Sequence, residues 1–336
     1  MPLPWSRLRP GARPLAPPAS GAGVAPEAAG GRGQAHPARA RARLLLFAAG
    51  VLFGLAALLA KLATLGGMAG AQVTVVRFAL GLGFILALFR ARPGTFRPVR
   101  KGLLVTRGLF GGLSAFLYYL AIARIPAGEA TLLNNLFPIF AVLISFVFLG
   151  ERPTLHLAIA LALASAGVWL VLGGGSVRFG LGWGEVLGLV SAVFGGMAVT
   201  SIRALRATDN APTIFFAFAV GGFTVAAPFG LGPWPATTAA WMAAAGVGAT
   251  AFLAQLFMTE AYGALSIAEA ALWQQLTPIA SYLWALTLGE AISRSTAVGV
   301  LLGVAGVVYG SLLGHRPREA GAPEARLAAG LPAEEP

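Results

Sequence analysis

The chain has 336 residues, of which 57% are hydrophobic and 11% charged, against about 25% charged in a soluble domain; a water-soluble fold is excluded and the bilayer is the solvent. Cys is absent, and His36, His156 and His315 are the only histidines, which excludes disulfides, thiolate metal sites and a histidine metal cluster. The net charge of +12 invites a nucleic-acid partner, but the basic residues have the topological explanation given below, so none is assigned, and no cofactor is implied.

Residues 1–40 are Pro, Ala, Gly and Arg with a single acid, Glu27. Such a segment has nothing to bury, so residues 1–43 are expected to be a disordered basic tail. Its Arg-rich, acid-poor character also fits a transit peptide; a compositionally biased tail is the preferred reading. Ten segments then reach the roughly 20 apolar residues that span the hydrocarbon. They are Leu44–Ala60, Ala71–Phe89, Leu103–Ala123, Ala127–Leu149, Leu155–Gly173, Gly184–Ile202, Ala211–Leu231, Trp241–Tyr262, Ser266–Leu288 and Ser295–Leu313. Between the seventh and eighth, Gly230-Leu231-Gly232-Pro233-Trp234-Pro235 breaks an uncharged run too long for one span. Between the fifth and sixth lies a Gly-rich stretch, 174–183. It is followed by no GK[ST] and preceded by no strand, so it reads as a linker and not as a phosphate cradle. Residues 315–336 are expected to be a second polar, disordered tail.

The two halves repeat. Gly128-Glu129-Ala130-Thr131-Leu132-Leu133-Asn134-Asn135-Leu136-Phe137-Pro138 is answered, at an offset of 140, by Ala268-Glu269-Ala270-Ala271-Leu272-Trp273-Gln274-Gln275-Leu276-Thr277-Pro278. Leu149-Gly150-Glu151 is answered by Leu288-Gly289-Glu290. With the N-terminus in the cytoplasm, eighteen of the 24 Lys and Arg fall on the cytoplasmic side, four outside, and Arg77 and Arg107 within spans. That bias places both termini in the cytoplasm of a multi-pass cell-membrane protein. Five spans per half is an odd number, so residues 44–173 and 184–314 are expected to be inverted repeats. Interrupted spans at matching places in two such repeats point to a transporter.

Val75-Val76-Arg77-Phe78, Ala130 to Pro138, Leu149-Gly150-Glu151, Ala270 to Pro278 and Leu288-Gly289-Glu290 together resemble the drug/metabolite transporter superfamily, in its EamA-type ten-helix branch. The resemblance covers about residues 44–314. It implies two five-helix bundles around a central cavity and transport by alternating access. Small multidrug pumps of the superfamily carry an acid in their first helix. Leu44–Ala60 has none, so proton exchange through that residue is not implied.

Pro138 and Pro278 are expected near the middle of spans four and nine. There each proline frees the carbonyl four residues back, on Asn134 and Gln274. Each repeat thus offers a backbone acceptor beside two amides, Asn134/Asn135 and Gln274/Gln275. Facing a wet cavity, these groups bind a polar solute; facing another helix, they are structural glue. The matched positions favour the cavity. Trp273, directly before Gln274, is the aromatic singled out for stacking on substrate. Tyr118, Tyr119, Tyr282 and Trp284 flank the same spans and read equally as anchors.

Arg77 either gates the outer side by pairing with Glu129, binds a substrate carboxylate or snorkels. Arg107, Glu260 and Glu269 are expected as a matching charged set near the inner face, in gating or coupling. The acids Glu129 and Glu269 are repeat-related; the arginines are not, since Arg77 answers Ala217 and Arg107 answers Val247. Glu151 and Glu290 read as turn-setting loop residues. The glycines around Gly108–Gly112 and Gly299–Gly303 permit close helix contact, either within the chain or across a homodimer seam.

The leading functional reading is a secondary carrier, not an enzyme, that exports a small polar metabolite such as an amino acid. The alternatives are a channel, which needs a ring of carbonyls or charges, and a membrane-embedded enzyme. Neither GxSxG nor HExxH is present.

Overall fold

A computed structural model describes residues 30–122, 124, 133–150, 153–171, 182–285 and 294–313. Among them every regular element is helical: α1 (Gly30–Leu65), α2 (Gly70–Ala91), α3 (Lys101–Ile122), α4 (Phe137–Leu149), α5 (Leu155–Val171), α6 (Trp183–Leu205), α7 (Ala211–Ala226), α8 (Thr238–Ala261), α9 (Ile267–Gln274), α10 (Leu276–Ala285) and α11 (Arg294–Leu313). Six stretches are long and apolar enough to cross a membrane: Ala38–Leu65, Gly70–Ala91, Lys101–Ala121, Trp183–Leu205, Ala211–Phe229 and Thr238–Ala261. Phe137–Leu149, Leu155–Leu170 and Ala297–Gly310 are shorter apolar helices. Val105, Leu109, Val147, Leu155, Leu301 and Leu312 point out of the bundle. In water so much exposed apolar surface would drive association; against lipid tails it is solvated.

The sequence expectations need two corrections here. The helix begins at Gly30, so residues 30–43 belong to α1 and not to a disordered tail. Ala and Arg, which dominate residues 38–43, are strong helix formers, and an apolar helix already propagates from Leu44. Nor do the prolines sit inside continuous helices. The chain leaves the helix at Asn135–Leu136 and restarts at Phe137, with Pro138 in the first turn of α4. Likewise α9 stops at Gln274 and α10 starts at Leu276, with Pro278 as its third residue. In a first turn the missing proline N–H would have had no intrahelical acceptor, so stopping avoids the ring clash that a continuous helix would suffer. The Leu136 carbonyl then accepts from the Ile139 and Phe140 amides at 3.0 and 3.2 Å.

The halves are interleaved. α1 lies along α8 and α10, α6 along α3 and α4, α2 against α7 and α8, α3 against α7, and α5 along α11. α4 packs on α9. Glycines make the closest crossings. A Cβ on Gly112 would stand 2.8 Å from the Gly221 backbone of α7, and one on Gly167 would stand 2.6 Å from the Gly299 carbonyl of α11. The glycines proposed for either packing or a dimer seam are therefore engaged within the chain.

Loops lock the two ends of the bundle. The buried Asp209 carboxylate accepts from the amides of Val99 and Arg100 at 2.8 and 3.3 Å, and Asn210 caps α7 through the Thr213 amide. At the opposite end the Gln72 amide donates to the Gly232 and Pro233 carbonyls at 3.2 and 2.8 Å. This ties α2 to the loop that the Gly/Pro run predicted. The linker core and Glu151 and Glu290 lie outside the described residues; Gly150 closes α4 with a φ of +66°.

Candidate functional site

Each of the two interrupted spans carries a pair of side-chain amides at its break. At the first break the Asn134 amide donates to the Ser191 hydroxyl of α6 at 3.0 Å. That hydroxyl donates to the Gly188 carbonyl, and Ser114 of α3 donates to the Ser191 carbonyl at 2.8 Å. At the second break the Gln275 amide donates to Ser165 of α5 at 3.0 Å, and its oxygen has no hydrogen-bond partner. One amide of each pair thus bonds across to a serine on another helix. Asn135 is half-buried, and Gln274 is buried. Trp273 is half-buried with an unpartnered indole N–H. No hydrogen bond among the described residues joins the Asn pair to the Gln pair. Trp284 donates to the Val51 carbonyl at 3.2 Å, which makes it a packing residue. The side chain of Tyr282 and all of Glu129 lie outside the described residues.

The expected charged set does not assemble. Glu269 is buried and pairs with Arg43 of α1, whose Nε and Nη2 both reach Oε1 at 2.9 Å. It also lies in the first turn of α9, where Ser266 caps its amide and the helix N-terminus favours a negative charge. Glu260 pairs with Arg206 at 3.0 Å, and its side chain is substantially exposed. Arg107 meets neither acid. It is only 3% exposed, its guanidinium lies 4.2 Å from the Phe218 ring centroid, and its Nε has no hydrogen-bond partner. Arg77 is half-buried, stands 5.5 Å from the Phe78 centroid, and lies within electrostatic reach of Arg107.

Several of these partners were missed in the sequence. Arg43 had been counted only as a topological charge, although it is the basic residue nearest the apolar stretch. Ser165 and Ser191 are hydroxyls in otherwise apolar spans, a usable but weak signal, because serine also bonds its own helix. Gln255, buried on α8 with an unpartnered amide nitrogen, stands in an uncharged stretch where its polarity was the only signal.

Comparisons with known proteins agree on the class. The sequence profile of the EamA-like transporter family matches residues 40–173 and again residues 182–311. A pseudopaline exporter of Pseudomonas aeruginosa is 31% identical over 194 residues, 57% of this chain and 68% of the exporter. A riboflavin transporter of Rhizobium johnstonii is 29% identical over 57% of this chain and 62% of its own length. A solved crystal structure superposes with a TM-score of 0.70 at 23% identity, covering 83% of this chain and all of the other. That likeness concerns the fold alone.

Proposed function

The chain belongs to the EamA-like transporter family, and from that premise we propose that this membrane transporter is a secondary carrier exporting a small polar metabolite, an amino acid or related solute, by alternating access between two inverted repeats. The observation that carries the proposal is the matched pair of helix breaks, Asn135–Leu136 and Gln275, each beside a pair of side-chain amides. Irregular backbone at membrane depth is tolerated where it lines a cavity or is buried in protein, and transporters place their binding sites at such breaks. The packing supports the repeat reading. Exchanging the first half for the second maps α1 on α8 to α6 on α3, α1 on α10 to α6 on α4, and α2 on α8 to α7 on α3, while α2 on α7, α5 on α11 and α4 on α9 map onto themselves. A relative named as an exporter supports the outward direction.

The test is counterflow in sealed proteoliposomes with labelled amino acids. A carrier gives saturable flux that is accelerated by solute on the far side. Flux linear in concentration, without trans-acceleration, would leave a channel as the reading. Asn135→Leu and Gln275→Leu should each weaken half-saturation about tenfold or more, since each removes a hydrogen-bonding group worth about 1–3 kcal/mol to a desolvated solute. Unchanged kinetics in both variants would make the amides structural only. The lysine and arginine distribution supports cytoplasmic termini. Reporter domains fused after Gly94 and after Gly314 should both be cytoplasmic, and an outside signal from either would contradict ten inverted spans.

A further inference from the structure

We propose that the Arg107 guanidinium is an oxyanion-binding subsite of the transport pathway, taking a carboxylate or phosphate group of the solute, with Arg77 contributing a second positive charge. This deepens the carrier reading and rests on it.

A guanidinium inside a bilayer is costly and normally pairs with an acid or reaches water. Arg107 has no acid partner among the described residues: it is 3% exposed, its Nε is unpartnered, and the described acids stand elsewhere, Glu269 with Arg43, Glu260 with Arg206, Asp209 with loop amides and Glu185 in the first turn of α6. Arg77 adds positive potential, and no described acid stands with the two of them. The Phe218 face supplies a cation–π contact, and the Tyr262 phenol lies within electrostatic reach. Neither supplies the negative charge that offsets the desolvation of a buried guanidinium.

A snorkelling Arg107 would extend back towards Lys101, the near end of α3. Instead its guanidinium lies over Gly111, where an added Cβ would collide with it. That places the charge about 15 Å from the Lys101 end of a helix about 33 Å long, near the middle of the bundle. Gly111 provides the notch that admits it.

Arg107, Gly111 and Ser114 follow one another at spacings of four and three, so they share a stripe of α3. Ser114 belongs to the Ser191–Asn134 network at the first helix break. The guanidinium therefore sits about 4.5 Å along the axis from that network. A small solute with an oxyanion at one end and hydrogen-bonding groups at the other can engage both.

The experiment follows the thermal unfolding of the detergent-purified full chain in succinate, inorganic phosphate and chloride at equal ionic strength. Succinate or phosphate should raise the wild-type Tm beyond chloride, and the preferred one names carboxylate or phosphate as the source of the oxyanion. Arg107→Gln should lose that shift and, without oxyanion, be at least as stable as wild type, because an uncompensated charge has been removed. Arg107→Lys keeps the charge without the forked donors and should retain a reduced shift, which keeps the test readable if the Gln variant does not fold. A wild-type response no larger than that to chloride, or an undiminished shift in the variants, would overturn the subsite. So would a Gln variant less stable than wild type without oxyanion, which would mark Arg107 as structurally paired. Counterflow separates the two proposals. A carrier without the oxyanion shift loses only the subsite, and the shift without counterflow loses only the carrier.

Discussion

Replacing Gly167 with leucine should abolish recovery of folded protein. α5 and α11 cross at Gly167, where a Cβ would meet the Gly303 amide nitrogen, the Gly299 carbonyl at 2.6 Å and the Gly303 Cα at 2.7 Å. All of these are backbone atoms, so no side chain can turn aside, and the helices must separate. Overpacking a tight core costs about 1–3 kcal/mol and more where backbone must move; here the separated helices join the two halves. The measurement is the monodisperse fraction by fluorescence-detected size exclusion of a tagged protein, with Gly83→Leu as control. Gly83 has nothing within 4 Å of an added Cβ, and that variant should elute like wild type. Equal recovery of the two variants would show that the α5–α11 crossing is loose.

Breaking the Arg43–Glu269 pair should be asymmetric. The Arg43 side chain is 28% exposed and the Glu269 side chain 3%. After Glu269→Gln, Arg43 can swing its charge towards water, as long basic side chains do, and the destabilisation should be about 1 kcal/mol. After Arg43→Leu, the carboxylate stays buried without its guanidinium. Removing one partner from a buried pair costs about 3–5 kcal/mol. The double variant Arg43→Leu, Glu269→Gln should recover much of that loss, because no charge remains buried. Thermal unfolding of the purified variants reads all three. Equal losses in the two single variants would mean that Glu269 has as much access to water as Arg43. The pair joins α1 to the first turn of α9, so Arg43→Leu should also slow transport beyond its effect on protein level.

The membrane class, the family and the places where two spans are interrupted were legible because each rests on local chemistry. An apolar run long enough to span needs no partner to be recognised, and proline after a pair of amides disrupts a helix wherever it folds. The internal repeat was legible because Glu, Ala, Leu and Pro recur at a constant offset. Helix limits were less so. α1 runs back to Gly30 through a segment whose composition reads as disorder, since helix propagation from an apolar span outweighs a low apolar content.

The charge partners were not legible. Glu260, Glu269 and Arg107 share a depth, and depth along separate helices says nothing about azimuth. Glu269 turns to Arg43 and Glu260 to Arg206, which leaves Arg107 over Phe218. The amides were half-legible: their place beside the two breaks could be read along the chain, but Ser165 and Ser191 became partners only once α5 and α6 were packed. The sequence by itself determined the solvent, the helices and the positions of the breaks, because hydropathy and proline act within a few residues along the chain. The tertiary structure alone decided which buried charge meets an opposite charge and which does not, because inside a bilayer that depends on the few ångströms between side chains on different helices.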